Sequence, residues 1–265
     1  FSYIIVMNLN AEQISSNWEE FLGNIETHIS SPRKEKLLEF YTSQADRFVL
    51  MPAAANVNYH NCFPGGYVEH VNRVVKASLE VKDMWERFGA DMTTFTIEEL
   101  VFSAINHDLG KLGDSTSDLY IPSNNDWRKK NLGEHYSYNK EVGFMTIPDR
   151  SLFLLQEASI SYTMNEMLAI RAHDGLYDDS NKPYFISRIP ESRPKSIITF
   201  ILHQADFLAA EVERHVNAPT RDVSKNFTAA PKVRAQAKAK TTALGSVGEK
   251  KGDGLKNIMD SFFDD

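Results

Sequence analysis

Asn106-His107-Asp108-Leu109-Gly110-Lys111 closes an apolar stretch in which Val101, Phe102, Ala104 and Ile105 recur. Neighbouring side chains on a helix point about 100° apart, so His107 and Asp108 can meet at one point only if the helix ends with them. Gly110 then predicts a tight turn just beyond the pair. An imidazole nitrogen beside a carboxylate oxygen suits Zn, Mn, Fe or Mg with water in the remaining positions. A single His-Asp pair is more often a hydrogen-bonded capping pair, so its surroundings have to decide.

Upstream, Gly65-Gly66-Tyr67-Val68-Glu69-His70-Val71 places a second histidine inside an apolar helical pattern. Downstream, Ile197-Ile198-Thr199-Phe200-Ile201-Leu202-His203-Gln204-Ala205-Asp206 ends an apolar run on an acid. A carboxylate in such surroundings needs a partner.

Together these segments resemble the HD-domain superfamily of metal-dependent phosphohydrolases, over about residues 40–215. In that superfamily an early His, the His-Asp doublet and a late Asp bind the metal. The matching positions are His70, His107, Asp108 and Asp206. Pro148-Asp149-Arg150-Ser151-Leu152 and Arg171-Ala172-His173-Asp174-Gly175-Leu176-Tyr177 are similar to an uncharacterised phage and bacterial branch of it. The resemblance implies an all-α HD-domain helical bundle with a long active-site loop and a flexible C-terminal tail. It implies hydrolysis of a phosphate ester of a nucleotide or related small molecule through metal-activated water. Two alternatives stand beside it: a phosphodiesterase or exonuclease on nucleic acid, and a non-catalytic binding module with the same fold, recruited through its C-terminal peptide.

The resemblance also implies a ligand set and its neighbours. One divalent ion (Mn, Mg, Fe, Zn, Co or Ni) is expected on His70, His107, Asp108 and Asp206. Two ions are the alternative, if His173 and, less strongly, His135 join them. The double-His pattern of dinuclear members is absent, because Asp174 follows His173. Asp108, Glu69 and Lys111 are the catalytic candidates: Asp108 to orient water, Glu69 as an acid or water partner, and Lys111 to meet phosphate. Arg150 and Arg171, near helix ends, and Trp127 with Arg128, in the loop, are the substrate-binding candidates. A solvated lysine pair is the expectation for Lys129 and Lys130, and structural or surface histidines for His28, His203 and His215. His60 is grouped with His135 and His173 as bearing on nuclearity.

The rest of the chain bounds these readings. At 265 residues it can hold one substantial domain and a tail. The formal net charge of −7 does not favour nucleic acid as the partner of the whole chain. The single Cys62 cannot form an internal disulfide and fits a reducing cytoplasm. No apolar span is long enough to cross a bilayer. The cytoplasm of a bacterial or phage-infected cell is therefore the expected location. Met7 is a candidate start, and residues 1–10 are expected to be a poorly ordered N-terminus.

Residues 11–216 read as the HD-type helical phosphohydrolase domain. Helices are predicted over 11–50, with a break at Ser30-Ser31-Pro32, and over 66–88, 96–109, 149–159, 163–173 and 194–216. Thr96 is a cap with Glu98 or Glu99 in the first turn, and Thr163 with Glu166 fits a capping box. Residues 113–148 look irregular, with a small hairpin as an option, and a long loop of that kind is often a lid. From 217 to 254 Ala, Lys, Thr and Gly dominate, which predicts a flexible basic linker. The terminal peptide, 255–265, spaces Lys256, Met259, Phe262 and Phe263 like the short helical peptides that dock onto DNA sliding clamps, so a clamp or replication partner is an expectation.

Overall fold

The computed structural model describes residues 9–217. The expected N-terminal segment lies almost wholly outside them, as do the linker beyond Asn217 and the terminal peptide with Lys256, Met259, Phe262 and Phe263. Among the described residues ten α-helices carry the fold, and the one sheet has two short strands. The all-α expectation holds at that level. No helix among these residues is long and apolar enough to cross a membrane.

The stretch expected to be helical over 11–50 divides into α1 (Ala11–His28), α2 (Arg33–Ser43) and the short α3 (Ala45–Phe48). Asn10 accepts the Gln13 amide at 2.8 Å, and the Gln13 side chain accepts the Asn10 amide at 2.9 Å, a complete capping box. Next comes α4 (Gly66–Arg87). Gly65 precedes it with φ +85°, a conformation that favours glycine. At Gly66 an added Cβ would lie 2.1 Å from the Asn61 carbonyl oxygen, so only glycine allows this approach. Then α5 (Ile97–Asn106) starts at a second capping box, Thr96 with Glu99.

The irregular stretch contains the hairpin and one element that was not foreseen. β1 (Tyr120–Pro122) pairs antiparallel with β2 (Tyr136–Tyr138), Tyr120 opposite Tyr138. Between them lies α6 (Asp126–Leu132), which buries none of its residues and so shows no apolar periodicity. Next come α7 (Ile147–Glu157), capped by Thr146, and α8 (Met164–Ala172), opened by the Thr163–Glu166 capping box. The short α9 (Lys182–Ile186) follows. The last helix, α10 (Ile198–Val216), begins four residues later than the predicted 194. Arg193, before Pro194, is extended (φ −101°, ψ 151°), as a residue before proline tends to be.

The core lies where α4 meets α10, α5 and α1, with Phe21, Leu37, Tyr41, Phe48, Tyr67, Phe102, Ile105 and Ile201 fully buried. Each such side chain contributes about 1.5–3 kcal/mol by leaving water. Tyr41 donates to Asn106 Oδ1 at 2.8 Å, and Asn106 donates to the Phe102 carbonyl at 2.7 Å. The residue just before the His-Asp doublet is thereby fixed in the core. The hairpin buries only Leu119, Tyr120 and Val142 as a cluster of its own, and a two-stranded hairpin is marginal alone. It is tied down from outside: Arg47 binds the Asp118 carboxylate and the Leu112 and Asp114 carbonyls, and the Tyr136 amide bonds the Ala55 carbonyl.

Candidate metal centre

The helix α5 stops at Asn106, and His107 is its C-cap. Asp108 leaves the helical path (φ −106°, ψ 9°) and a 3-10 turn runs over Leu109–Leu112. This break lets the adjacent side chains converge. The 3-10 turn is the tight turn expected just beyond the pair, but it does not draw on glycine's left-handed freedom at Gly110. Its φ is not positive; the left-handed glycine is Gly113, at φ +103°. A Cβ on Gly110 would lie 2.2 Å from the Ile147 carbonyl oxygen, so glycine is needed here for the close approach of α7. Across that contact the Ser151 hydroxyl accepts the Gly110 amide at 2.8 Å and lies 3.0 Å from the His107 carbonyl. The doublet is clamped between α5 and α7.

Three imidazoles face one point, each held from behind. His107 Nδ1 lies 2.7 Å from the Ala104 carbonyl, and His173 Nδ1 lies 2.8 Å from the Ile170 carbonyl. His70, in the second turn of α4, has Nδ1 3.0 Å from Glu213 Oε2. Carbonyls and carboxylates only accept, so Nδ1 carries the proton in all three rings and a neutral ring turns its Nε2 lone pair inward. Backing of this kind is what metal-bound histidines have. His173 caps α8 as His107 caps α5, and each is followed by an aspartate.

The inward atoms form a cluster. His70 Nε2 is 3.2 Å from Asp206 Oδ1 and 3.6 Å from Asp108 Oδ2. His107 Nε2 is 3.4 Å from Asp108 Oδ2 and 3.7 Å from Asp206 Oδ1. His173 Nε2 faces the other Asp108 oxygen at 3.8 Å. Ligand atoms about 2.1 Å from a shared cation stand roughly 3 to 3.5 Å from each other. The Nε2 atoms of His70 and His107 are buried and have no hydrogen-bond partner among the described residues. Two orphaned buried nitrogens beside two carboxylates fit a divalent cation, and the buried groups could hold one.

The electrostatics agree. Burial works against the charged form of Asp108, but Lys111, then His107 and His173, outweigh it and hold its pKa well below the usual carboxylate range. Burial likewise opposes ionisation of Asp206, and the surrounding histidines keep its pKa low. Burial lowers the pKa of His70, but the Glu213 carboxylate, then Asp206, outweigh it and push it up to about 10. Both aspartates are thus ionised, as ligands must be.

Of the residues singled out from the sequence, the structure brings together His70, His107, Asp108, Asp206 and His173. Lys111 joins them, with Nζ 2.5 Å from Asp108 Oδ2 and the side chain buried. Glu69 turns aside to Arg73 and Asn61. His135 lies in a separate cleft with Cys62, Pro122 and Tyr136 and belongs to none of the potential ligand groups. Arg150 is buried, donates to the Gly143 carbonyl at 2.6 Å, and faces a mainly apolar cavity with Val142 and Phe144. Arg171 is engaged by Asp149, Ser180 and Asn181. Trp127 is exposed on α6, and Arg128 is paired with Glu134. His203 is structural: its Nδ1 lies 2.8 Å from the His173 carbonyl.

Glu213 was not assigned from the sequence, and His60 was read there only as bearing on nuclearity. Glu213 sits on α10 two turns beyond Asp206, and that seven-residue spacing on one helix face was the available signal. It also accepts from Arg73 at 3.0 Å. His60, in the loop before α4, packs against His70 with ring centroids 4.3 Å apart and planes tilted by 33°, and its Nε2 is buried without a partner among the described residues. His60, His70 and Glu213 could together form a second ligand group, but Glu213 is already bonded to His70, so we read it as the support of the first. Beside the cluster opens a cavity of about 580 Å³ lined by Ala53–Asn56, Tyr59, His60, Lys111, Arg128 and the hairpin tyrosines 120, 136 and 138. Comparison with models of known protein families, with curated proteins and with solved structures returned no match.

Proposed function

We propose that this chain is a metal-dependent phosphohydrolase of the HD-domain kind, acting on a phosphate ester of a nucleotide or related small molecule. One observation carries the reading: the backed imidazoles of His70 and His107 aim orphaned nitrogens at the carboxylates of Asp108 and Asp206. Those four residues would hold a divalent ion, with His173 on the second oxygen of Asp108. Such an ion supplies a water acidic near neutral pH and neutralises charge on phosphate oxygens.

The chain's own groups account for the rest. Asp108 and Asp206, both ionised, set the charge of the site. Lys111 neutralises Asp108 from the cavity side and presents an ammonium to an entering anion. In the hydrolysis, water adds to phosphorus, the bond from phosphorus to the leaving oxygen breaks, and that oxygen takes up a proton. The cavity falls within the roughly 300–1,000 Å³ of small-molecule sites, which supports a single nucleotide or similar ester over a polymer.

The test is bound metal by elemental analysis, paired with phosphate release from a panel of esters under Mn, Mg, Fe, Zn, Co and Ni. Wild type should carry metal and release phosphate, and Asp108→Ala should lose both. Wild-type protein that takes up none of these metals would overturn the reading.

A further inference from the structure

We infer that the cavity beside the centre selects a phosphomonoester that carries an aromatic ring, and discriminates against polyphosphates. The inference rests on the function proposed above and narrows it. Two of the cavity's lining residues contact residues of the centre: His60, against His70, and Lys111, paired with Asp108. They mark where the phosphate goes.

The lining also includes the hairpin tyrosines and Tyr59. Tyr120 is buried and packs edge-on to Tyr138, with ring centroids 5.3 Å apart and planes at 63°. Tyr59 and Tyr138 line the same cavity yet remain 62% and 63% exposed, so ring surface is free to stack a ligand's ring. Stacking on such a ring favours a ligand that carries an aromatic base.

The charge count sets the number of phosphates. Lys111 and Arg128 are the lining lysine and arginine. Arg128 is held by Glu134 through two contacts, which leaves Lys111, beside Asp108, as the lining cation that faces an entering phosphate. A monoester brings about two negative charges at neutral pH, which Lys111 and a divalent ion on the four ligands would meet together. Each further phosphate adds charge that meets no uncommitted cation in the lining, and a buried unpaired charge is costly.

The experiment compares a nucleoside 5′-monophosphate, the matching triphosphate and ribose 5-phosphate with the full-length protein. Phosphate release gives kcat/KM for each. Calorimetric binding of non-hydrolysable phosphonate analogues of the mono- and triphosphate to the metal-loaded wild-type protein gives a second readout independent of turnover. The monophosphate should exceed the triphosphate by about tenfold or more in both. Tyr138→Ala should raise KM for the nucleoside monophosphate by about fivefold or more, and by less for ribose 5-phosphate. A triphosphate favoured in binding or turnover would overturn the inference, as would equal losses for both monophosphates in Tyr138→Ala. Tight monophosphate binding by a wild-type protein that hydrolyses nothing would overturn the proposed function and leave this inference standing.

Discussion

The Glu213 carboxylate lies 3.0 Å from Nδ1 of His70 and thereby decides which nitrogen of that ring faces the centre. The contact joins the start of α4 to the end of α10, the two helices that share the most extensive packing. Removing an outer partner of this kind typically costs 10–100-fold in metal affinity. Glu213→Ala should therefore weaken metal binding by about 10–100-fold, measured by competition with a fluorescent chelator. Glu213→Gln, which can still accept from Nδ1, should lose less. Unchanged affinity in Glu213→Ala would show that the ring is oriented without it.

The same contact sets a pH dependence in metal-free protein. The His70 pKa is pushed up from 6.5 to about 10. A raised pKa means that the folded state holds the proton more tightly than the unfolded chain. The stabilisation is fully present below about pH 6.5 and is lost as the pH rises towards 10. Urea midpoints of chelator-stripped protein should fall across that window, and His70→Gln should flatten the fall. Because the ligand must be neutral, metal uptake near neutral pH should release a proton, seen as buffer-dependent binding enthalpy.

Gly110 has no room for a side chain, since a Cβ would lie 2.2 Å from the Ile147 carbonyl oxygen. Gly110→Ala must push α7 away and disturb the Ser151 hydroxyl that steadies the His107 carbonyl. The expected cost is about 1–3 kcal/mol of stability, read by urea unfolding, together with weaker metal binding. Loss of stability with intact metal affinity would show that the α7 contact serves packing alone.

Arg33 provides the contrast, a buried charge network apart from the centre. Its guanidinium binds both oxygens of Glu166 at 2.7 and 2.9 Å, reaches Glu98, and lies 4.3 Å over the Phe102 ring. The Glu166 side chain is fully buried, and burial pushes its pKa up even beside Arg33. Arg33→Ala leaves that carboxylate without its cation and should cost about 3–5 kcal/mol. Metal stoichiometry at a temperature where the variant remains folded should not change.

The sequence was legible where local chemistry is strong. The doublet at a helix end, the glycines ahead of α4 and the Thr163–Glu166 capping box each depend on residues within a few positions of one another. The hairpin was only an option, because three-residue strands are too short to show alternation. α6 was missed because nothing in it is buried. Glu213 reads from its neighbours Glu211-Val212-Glu213-Arg214 as one more solvated acid, and the seven-residue spacing from Asp206 was the one sign that it shares the face buried against His70. Arg171 suggested an anion site by its place at a helix end, whereas it is taken up by Asp149 on α7 and by Ser180 and Asn181 in a following 3-10 turn that carries no apolar pattern.

His70 and Glu213 are 143 positions apart. A nascent chain therefore cannot assemble the centre until the segment that becomes α10 has left the ribosome. Before then His70, His107 and Asp108 form an incomplete set, without the late aspartate or the carboxylate behind His70. A cation that needs the whole set cannot template the early helices. It can only lock a fold already made, and its retention would report that synthesis and docking of α10 are complete.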